Sequence, residues 1–255
     1  MSKKIPQNIK NIYADPLNDI AFEILFSNKN HTDIAISVIN SLLNFHGKNE
    51  VKEVCLSSSV PIFPDLKRAL ELCCTTKSNE KIRVEIQRQY YDFPIEIEYF
   101  REGFLNTFIL VISKENIFEL QNDKLYEKTV APMIQEIKAE IPSLPMSWKY
   151  YELKKFMKMY DAGEIRPVNN KLPIKEQWLF FFNKCPTSEK IPDDVDNIIK
   201  EAYGIMNINE WVPALKKMYE KSIQREKDLI KDKIIKEIDD KIENIPTNKD
   251  ENINS

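Results

Sequence analysis

Between Ala69 and Gln89 the chain reads ALELCCTTKSNEKIRVEIQRQ, with polar and apolar residues alternating on both sides of a short polar turn. A period of two is the repeat of a pleated strand, so the stretch predicts a β-hairpin. On the first arm Leu70, Leu72 and Cys74 share one face, and Ala69, Glu71 and Cys73 the other. On the second arm Ile82, Val84 and Ile86 share a face opposite Arg83, Glu85 and Gln87. A loop of three or five residues pairs positions of equal parity, which brings Glu71, Glu85 and Gln87 together on one side of the sheet. Two carboxylates so placed repel at neutral pH unless a cation lies between them. A divalent metal with hard oxygen ligands is the simplest such cation.

A length of 255 residues suits one large domain, or one domain with a helical extension. With 42% hydrophobic and 30% charged residues, a globular chain is expected. No apolar run approaches the roughly 20 residues needed to cross a membrane. The basic start MSKKIPQNIK leads into no apolar core of a secretory signal, so cytoplasmic residence is the default expectation. The net charge of −3 gives no general attraction for nucleic acid. A local basic strip remains open, built from Lys67, Arg68, Lys81, Arg83 and Arg88, and the same residues read equally well as solvating charge. Four glycines leave no room for a phosphate-cradling or dinucleotide loop. Cys55, Cys73, Cys74 and Cys185 form no CxxC pair, so neither a disulfide framework nor a cysteine zinc site is expected. His31 and His46 accompany no nucleophile motif and are expected at or beside a helix surface. Chemistry would therefore rest on carboxylates and lysines.

Asp15 to Phe26 predicts a first helix, with Asp15 as cap and Pro16 at the first helical position. Asp19 and Glu23 are then surface neighbours, four residues apart. Thr32 to Leu43 predicts a second helix, with the stripe Ile34, Val38, Ile39 and Leu42. Glu50 to Leu56 predicts a strand, and Ser57 to Pro64 a loop. Tyr99, Phe100, Phe104 and Phe108 suggest a helix over Phe93 to Phe108, its aromatics read as core. Leu110 to Ser113 and Ala131 to Ile137 are further strand candidates. Pro142 and Pro145 mark a boundary, giving an expected domain at 1–145, a helical region at 146–245 and a polar tail at 246–255. Gln177 to Phe182 is an apolar run led by Trp178. Asn209 is read as the cap of a long helix starting near Trp211. Along that helix Ile230, Ile234, Ile238 and Ile242 form a narrow seam suited to another helix or a second copy.

DPLNDIAFEILF, LELCC and VEIQ, in that order, resemble the PD-(D/E)xK nuclease superfamily, and more closely its recombination-promoting nuclease and transposase family. That family opens with a D-P-x-x-D-x-x-F-K-x-L-F helix, then an L-D-V strand and an E-x-Q strand. Glu71 stands at the strand aspartate, and Glu85 with Gln87 matches E-x-Q, 85 − 71 = 14 residues on. YYELKKF, and the segment from LPIKEQWLFFF to NIIKEAYGIMNINEW, also resemble the helical tail of these proteins. The resemblance implies an α/β (mixed α+β) fold. It would be a PD-(D/E)xK nuclease-like core with a central mixed sheet flanked by helices and a C-terminal helical extension. It implies a metal-dependent DNA endonuclease that hydrolyses phosphodiester bonds, with DNA as partner and Mg²⁺ or Mn²⁺ as cofactor. Glu71, Glu85 and the main-chain carbonyl of Ile86 would hold the metal, with Asp19 as a further ligand or as holder of a metal-bound water. Gln87 takes the place of the superfamily lysine and would orient water. Asp65, in a literal Pro64-Asp65 pair 85 − 65 = 20 residues before Glu85, is the alternative partner.

Three positions depart from the family pattern. Glu23 replaces the lysine that usually follows the Phe22 position, Glu71 replaces aspartate, and the arginine usual after E-x-Q has no clear match, with Ile97 and Arg101 nearby. The extra methylene of Glu71 shifts its carboxylate by about an ångström, which can cost on the order of 100-fold in rate. The alternative function is therefore a catalytically inactive, degenerate family member serving as a DNA-binding or protein-interaction module. The isoleucine seam adds a possible homo-oligomer, and no membrane association is expected.

Overall fold

The turn at the centre of the hairpin sets the register of everything around it. In the computed structural model, which describes residues 11–27, 29–56, 69–88, 106–118, 123–134, 136, 139–140 and 146–243, the Asn79 N–H donates to the Thr76 carbonyl at 2.9 Å. Asn79 itself lies in the left-handed region at φ 65°, which asparagine tolerates better than most residues. Such a turn closed by a left-handed residue makes a three-residue hairpin loop. It joins β2 (Ala69–Thr76) to β3 (Lys81–Arg88) antiparallel, with Glu71 opposite Glu85 and Ala69 opposite Gln87. The Thr76 N–H reaches the Glu80 carbonyl at 2.9 Å, so the hydrogen-bonded pairs fall on even-numbered residues. Glu71 and Glu85 therefore face each other as a non-hydrogen-bonded pair, in which side chains approach most closely.

In chain order the elements are α1 (Asp19–Ser27), α2 (Thr32–Leu42), β1 (Val51–Leu56), β2, β3, β4 (Thr107–Ser113), β5 (Glu127–Val130), β6 (Met133–Ile134), β7 (Ala139–Glu140), β8 (Met146–Glu152), α3 (Leu153–Asp161), α4 (Ile174–Lys184), α5 (Asn197–Met206) and α6 (Pro213–Glu243). Six strands form one sheet in the order β1-β2-β3-β4-β8-β5, and β6 pairs with β7 separately. β3, β4 and β8 are parallel; the other neighbours in the sheet are antiparallel. The mixed α/β architecture with helices packed on the sheet is the one expected.

Alternation along the strands gives the sheet two unlike faces. Leu72, Val84, Ile86, Leu110 and Ile112 are completely buried on one of them, under helices. The Asn40 amide of α2 clips the β1 edge, donating to the Val51 carbonyl at 3.0 Å and accepting from its N–H at 2.8 Å. The Tyr151 hydroxyl donates to the Leu42 carbonyl at 2.6 Å. Trp178 of α4, fully buried, donates its indole N–H to the Ser37 hydroxyl at 3.0 Å. The run led by Trp178 is thus core. The opposite face carries Glu71, Arg83, Glu85 and Gln87, then Ile109, Val111 and Tyr150 across β4 and β8.

Several expectations shift. The first helix begins at Asp19, not Asp15: the Asp15 carboxylate accepts the Leu17 N–H at 3.0 Å in a tight turn, and Asn18 caps the helix by accepting the Ile20 N–H at 3.0 Å. Phe108 lies in β4 rather than in a helix, its ring edge-on to Phe45 with centroids 5.0 Å apart; residues 93–105 of that expected helix lie outside the described residues. Among the described residues of the strand expected at 131–137, Met133–Ile134 form a strand, and β5 precedes it. β8 of the main sheet begins just after the boundary expected at 145. The chain divides into compact units at 1–211 and 212–255. The second unit contains α6, where Ile235 and Ile238 are exposed; the side chains of Ile230, Ile234 and Ile242, and the expected tail, are outside the described residues. Among the described residues no helix is long and apolar enough to cross a membrane.

Candidate active site

The carboxylate face of the hairpin carries its own cation. An Arg83 guanidinium N–H donates to Glu71 at 2.7 Å, and Arg83 is only 7% exposed. Gln87 donates from its amide to Glu85 Oε1 at 2.7 Å. Glu71, Arg83, Glu85 and Gln87, of one parity on the two paired arms, are thus brought together as the alternation predicts. The charge expected between the two glutamates is supplied at Glu71 by arginine. Glu85 is left the more strained carboxyl. Burial raises its pKa, and neighbouring Glu71 adds to that, against the hydrogen bond from Gln87 and the charge of Arg83.

That shift has a defined sign. A carboxyl whose folded pKa is raised contributes stability below its unfolded pKa, and this is lost as pH rises through the folded value. Glu85→Gln, which stays neutral, is therefore expected to have a higher melting temperature than the native chain at pH 7 and above. The gap should close as pH falls below the ordinary glutamate range near 4. A scanning-fluorimetry pH series checks this, and a variant that melts below the native chain at pH 7 sinks it.

Asp19 forms an ion pair with Arg88, which also donates to the Leu17 carbonyl and lies 5.7 Å from the Phe22 ring centroid. Arg88 has the opposite parity to Glu85, so it leaves the strand on the helix-covered face. Glu23 is exposed on α1. Ile86 points its side chain into the core, and the ladder alternation commits its carbonyl to Leu70, leaving one lone pair for another contact. Asp65, Lys67, Arg68, Ile97 and Arg101 lie outside the described residues. Of the basic strip, Arg83 and Arg88 are buried and paired with acids. Glu71 and Glu85 nonetheless fit a divalent cation in kind. Both are hard oxygen donors, and Glu85, whose pKa partial burial raises, has an ionised form that a cation would favour.

A second charged cluster, unforeseen from the sequence, lies on the same sheet face two strands away. Glu152, at the end of β8, is fully buried and accepts the N–H groups of Ile117 and Phe118, the latter at 2.9 Å. Its other oxygen meets Lys128 at 2.7 Å and Lys155 at 2.8 Å, and both lysines also meet Asp123 at 2.7 Å. Beside this network a cavity of about 270 Å³ is lined by Asp123, Lys124, Lys154, Lys155 and Lys158. The spacing of Glu152 and Lys155 was visible in YYELKKF. Nothing in the sequence pointed to Asp123 and Lys128 as their partners.

The central hairpin of the mixed sheet thus opposes two glutamates on one face. Residues 16–96 match the family model described as PD-(D/E)XK nuclease family transposase. The match covers PLNDIAFEILF, LELCC and VEIQ, and so all but the leading Asp15 of the segments that carry the resemblance. No curated protein and no solved structure matches the chain.

Proposed function

We propose that the chain is a metal-dependent DNA endonuclease acting through Glu71, Glu85 and Gln87. The observation that carries this reading is the direct opposition of Glu71 and Glu85 in β2 and β3, within the segment that matches a nuclease family. Glu71, Glu85 and the Ile86 carbonyl would hold Mg²⁺ or Mn²⁺, which when bound supplies Lewis-acid polarisation of a phosphate and a water of lowered pKa. Gln87 fixes the rotamer of Glu85 through its amide and can orient a water. It brings no charge; the cation seen beside the two glutamates among the described residues is Arg83. When Glu71 turns to another cation, Arg83 is released towards a phosphate oxygen, for which a guanidinium fork is suited. From Glu85 the face runs two strands across and four residues along to Glu152, roughly 16 Å by strand spacing and rise. There Lys124 and Lys158 offer charge to backbone phosphates.

One observation favours a second reading, an inactive relative that binds DNA or a protein: the Arg83–Glu71 ion pair already neutralises the site. Nicking of supercoiled plasmid with Mg²⁺ or Mn²⁺, blocked by EDTA, separates the two. The native chain is expected to nick. Arg83→Gln is expected to bind Mn²⁺ at least as tightly while nicking at least tenfold more slowly. A native chain that nicks under neither metal, alongside an Arg83→Gln chain that gains Mn²⁺ affinity, would put the inactive reading first.

A further inference from the structure

We propose that His31, Asp33 and Glu201 form a second cation site, suited to Zn²⁺, that ties the start of α2 to α5. The His31 Nδ1 and a Glu201 carboxylate oxygen lie 2.6 Å apart, although 170 residues separate them in the chain. Asp33 completes the group, and one ligand atom from each residue lies within 4.8 Å of the others. The position of His31 is set by backbone: it precedes the first residue of α2, and its ring makes no capping hydrogen bond. The imidazole is thus held towards α5 without a local task. Asp33 sits in the first turn, where its carboxylate accepts the Ile34 N–H at 3.1 Å.

Charge sets this cluster apart from the others. Asp19 is paired with Arg88, Glu71 with Arg83, and Glu152 and Asp123 with Lys128 and Lys155. Glu127 has Lys149 and Lys175. Among the described side chains no lysine or arginine pairs with Asp33 or Glu201; the one basic partner is the His31 ring. Two carboxylates and an imidazole nitrogen form a donor set that suits Zn²⁺, whereas Mg²⁺ prefers oxygen alone. An ion with ligands near 2.1 Å in tetrahedral directions needs donors about 3.4 Å apart, so the His31–Glu201 pair must open by less than an ångström. The His31 and Glu201 side chains are 32% and 38% exposed, which leaves a route in and a position for water.

Cobalt(II), followed by its visible absorption, and Zn²⁺, followed by melting temperature, test the site on the full chain. The Glu85→Ala variant is expected to retain one bound cobalt, so that this site is read apart from the hairpin face. His31→Ala and Glu201→Gln, each in that background, are expected to weaken cobalt binding at least tenfold and to remove the Zn²⁺-induced rise in melting temperature. Glu201→Gln keeps an oxygen for His31 and is expected to melt like its parent in EDTA, so it decides the matter should His31→Ala fail to fold. Unchanged cobalt affinity in Glu201→Gln, or no saturable binding before either substitution, overturns the proposal.

Discussion

Glu152→Ala is expected to destabilise the first compact unit by about 3–5 kcal/mol, the loss found when one partner of a buried ion pair is removed. Glu152 has no exposed surface, and its two oxygens serve two backbone N–H groups and two ammonium groups. Alanine would leave the two N–H groups without their acceptor and the two lysines with Asp123 as their one shared carboxylate, beside the Leu125 and Phe118 carbonyls. Burial works against the ionised Glu152, but the bonds from Lys128, Lys155, Phe118 and Ile117 outweigh it and hold its pKa below the ordinary value. Asp123 is brought down to about 2 by the hydrogen bonds from Lys128 and Lys155. For a lowered carboxyl the sign is the reverse of that at Glu85. The stabilisation is present above the ordinary carboxylate range and lost as pH falls towards the folded values. Urea unfolding at pH 7 and at pH 3 checks both parts. A loss under 1 kcal/mol at pH 7, or an equal loss at both pH values, would show that the network is idle.

Glu85→Ala is expected to reduce metal-dependent nicking at least 100-fold, about 2.7 kcal/mol of transition-state stabilisation. Glu85 is the member of the opposed pair whose pKa is raised by desolvation, and the bond from Gln87 fixes its orientation. Its removal takes away the best-held oxygen donor together with the task of Gln87. The protein should survive the change, since a half-buried, partly uncompensated carboxylate is no source of stability at neutral pH. Matched nicking rates of purified native and variant chains, with melting curves alongside, provide the measurement. If the variant nicks at the native rate, the chemistry lies elsewhere on the molecule.

The hairpin was legible because period-two alternation and a short polar loop encode face and register locally. Parity places Glu71 and Glu85 on one side of the sheet, and the three-residue loop then sets them directly opposite. The partners of those glutamates were less legible. The same alternation places Arg83 on their face but does not give its pairing with Glu71, because spacing does not say which charges will be desolvated together. Asp19 was placed with the site because it begins a helix of the family pattern. Its pairing with Arg88 depends on the side of the sheet from which Arg88 departs, and parity could have supplied that. Phe108 was read as helical from the spacing of aromatics that precede it, whereas parallel pairing with β3 decides its state. Parallel strands are joined through long crossovers, so their pairing leaves little local signature. The Glu152 network joins four side chains from three separate segments, a tertiary fact with no sequence pattern of its own.

The fastening of the DPLND segment has a consequence for the order of assembly. Arg88 binds the Leu17 carbonyl across 71 residues, and Lys114 binds Asp15 across 99. The three-residue hairpin is a local event, of the kind completed in microseconds. Contacts that close loops this long come later and slow the approach to the native state. The two glutamates are therefore expected to face each other early in folding, and the segment that opens the chain's family resemblance, fastened across these long loops, is expected to lock later.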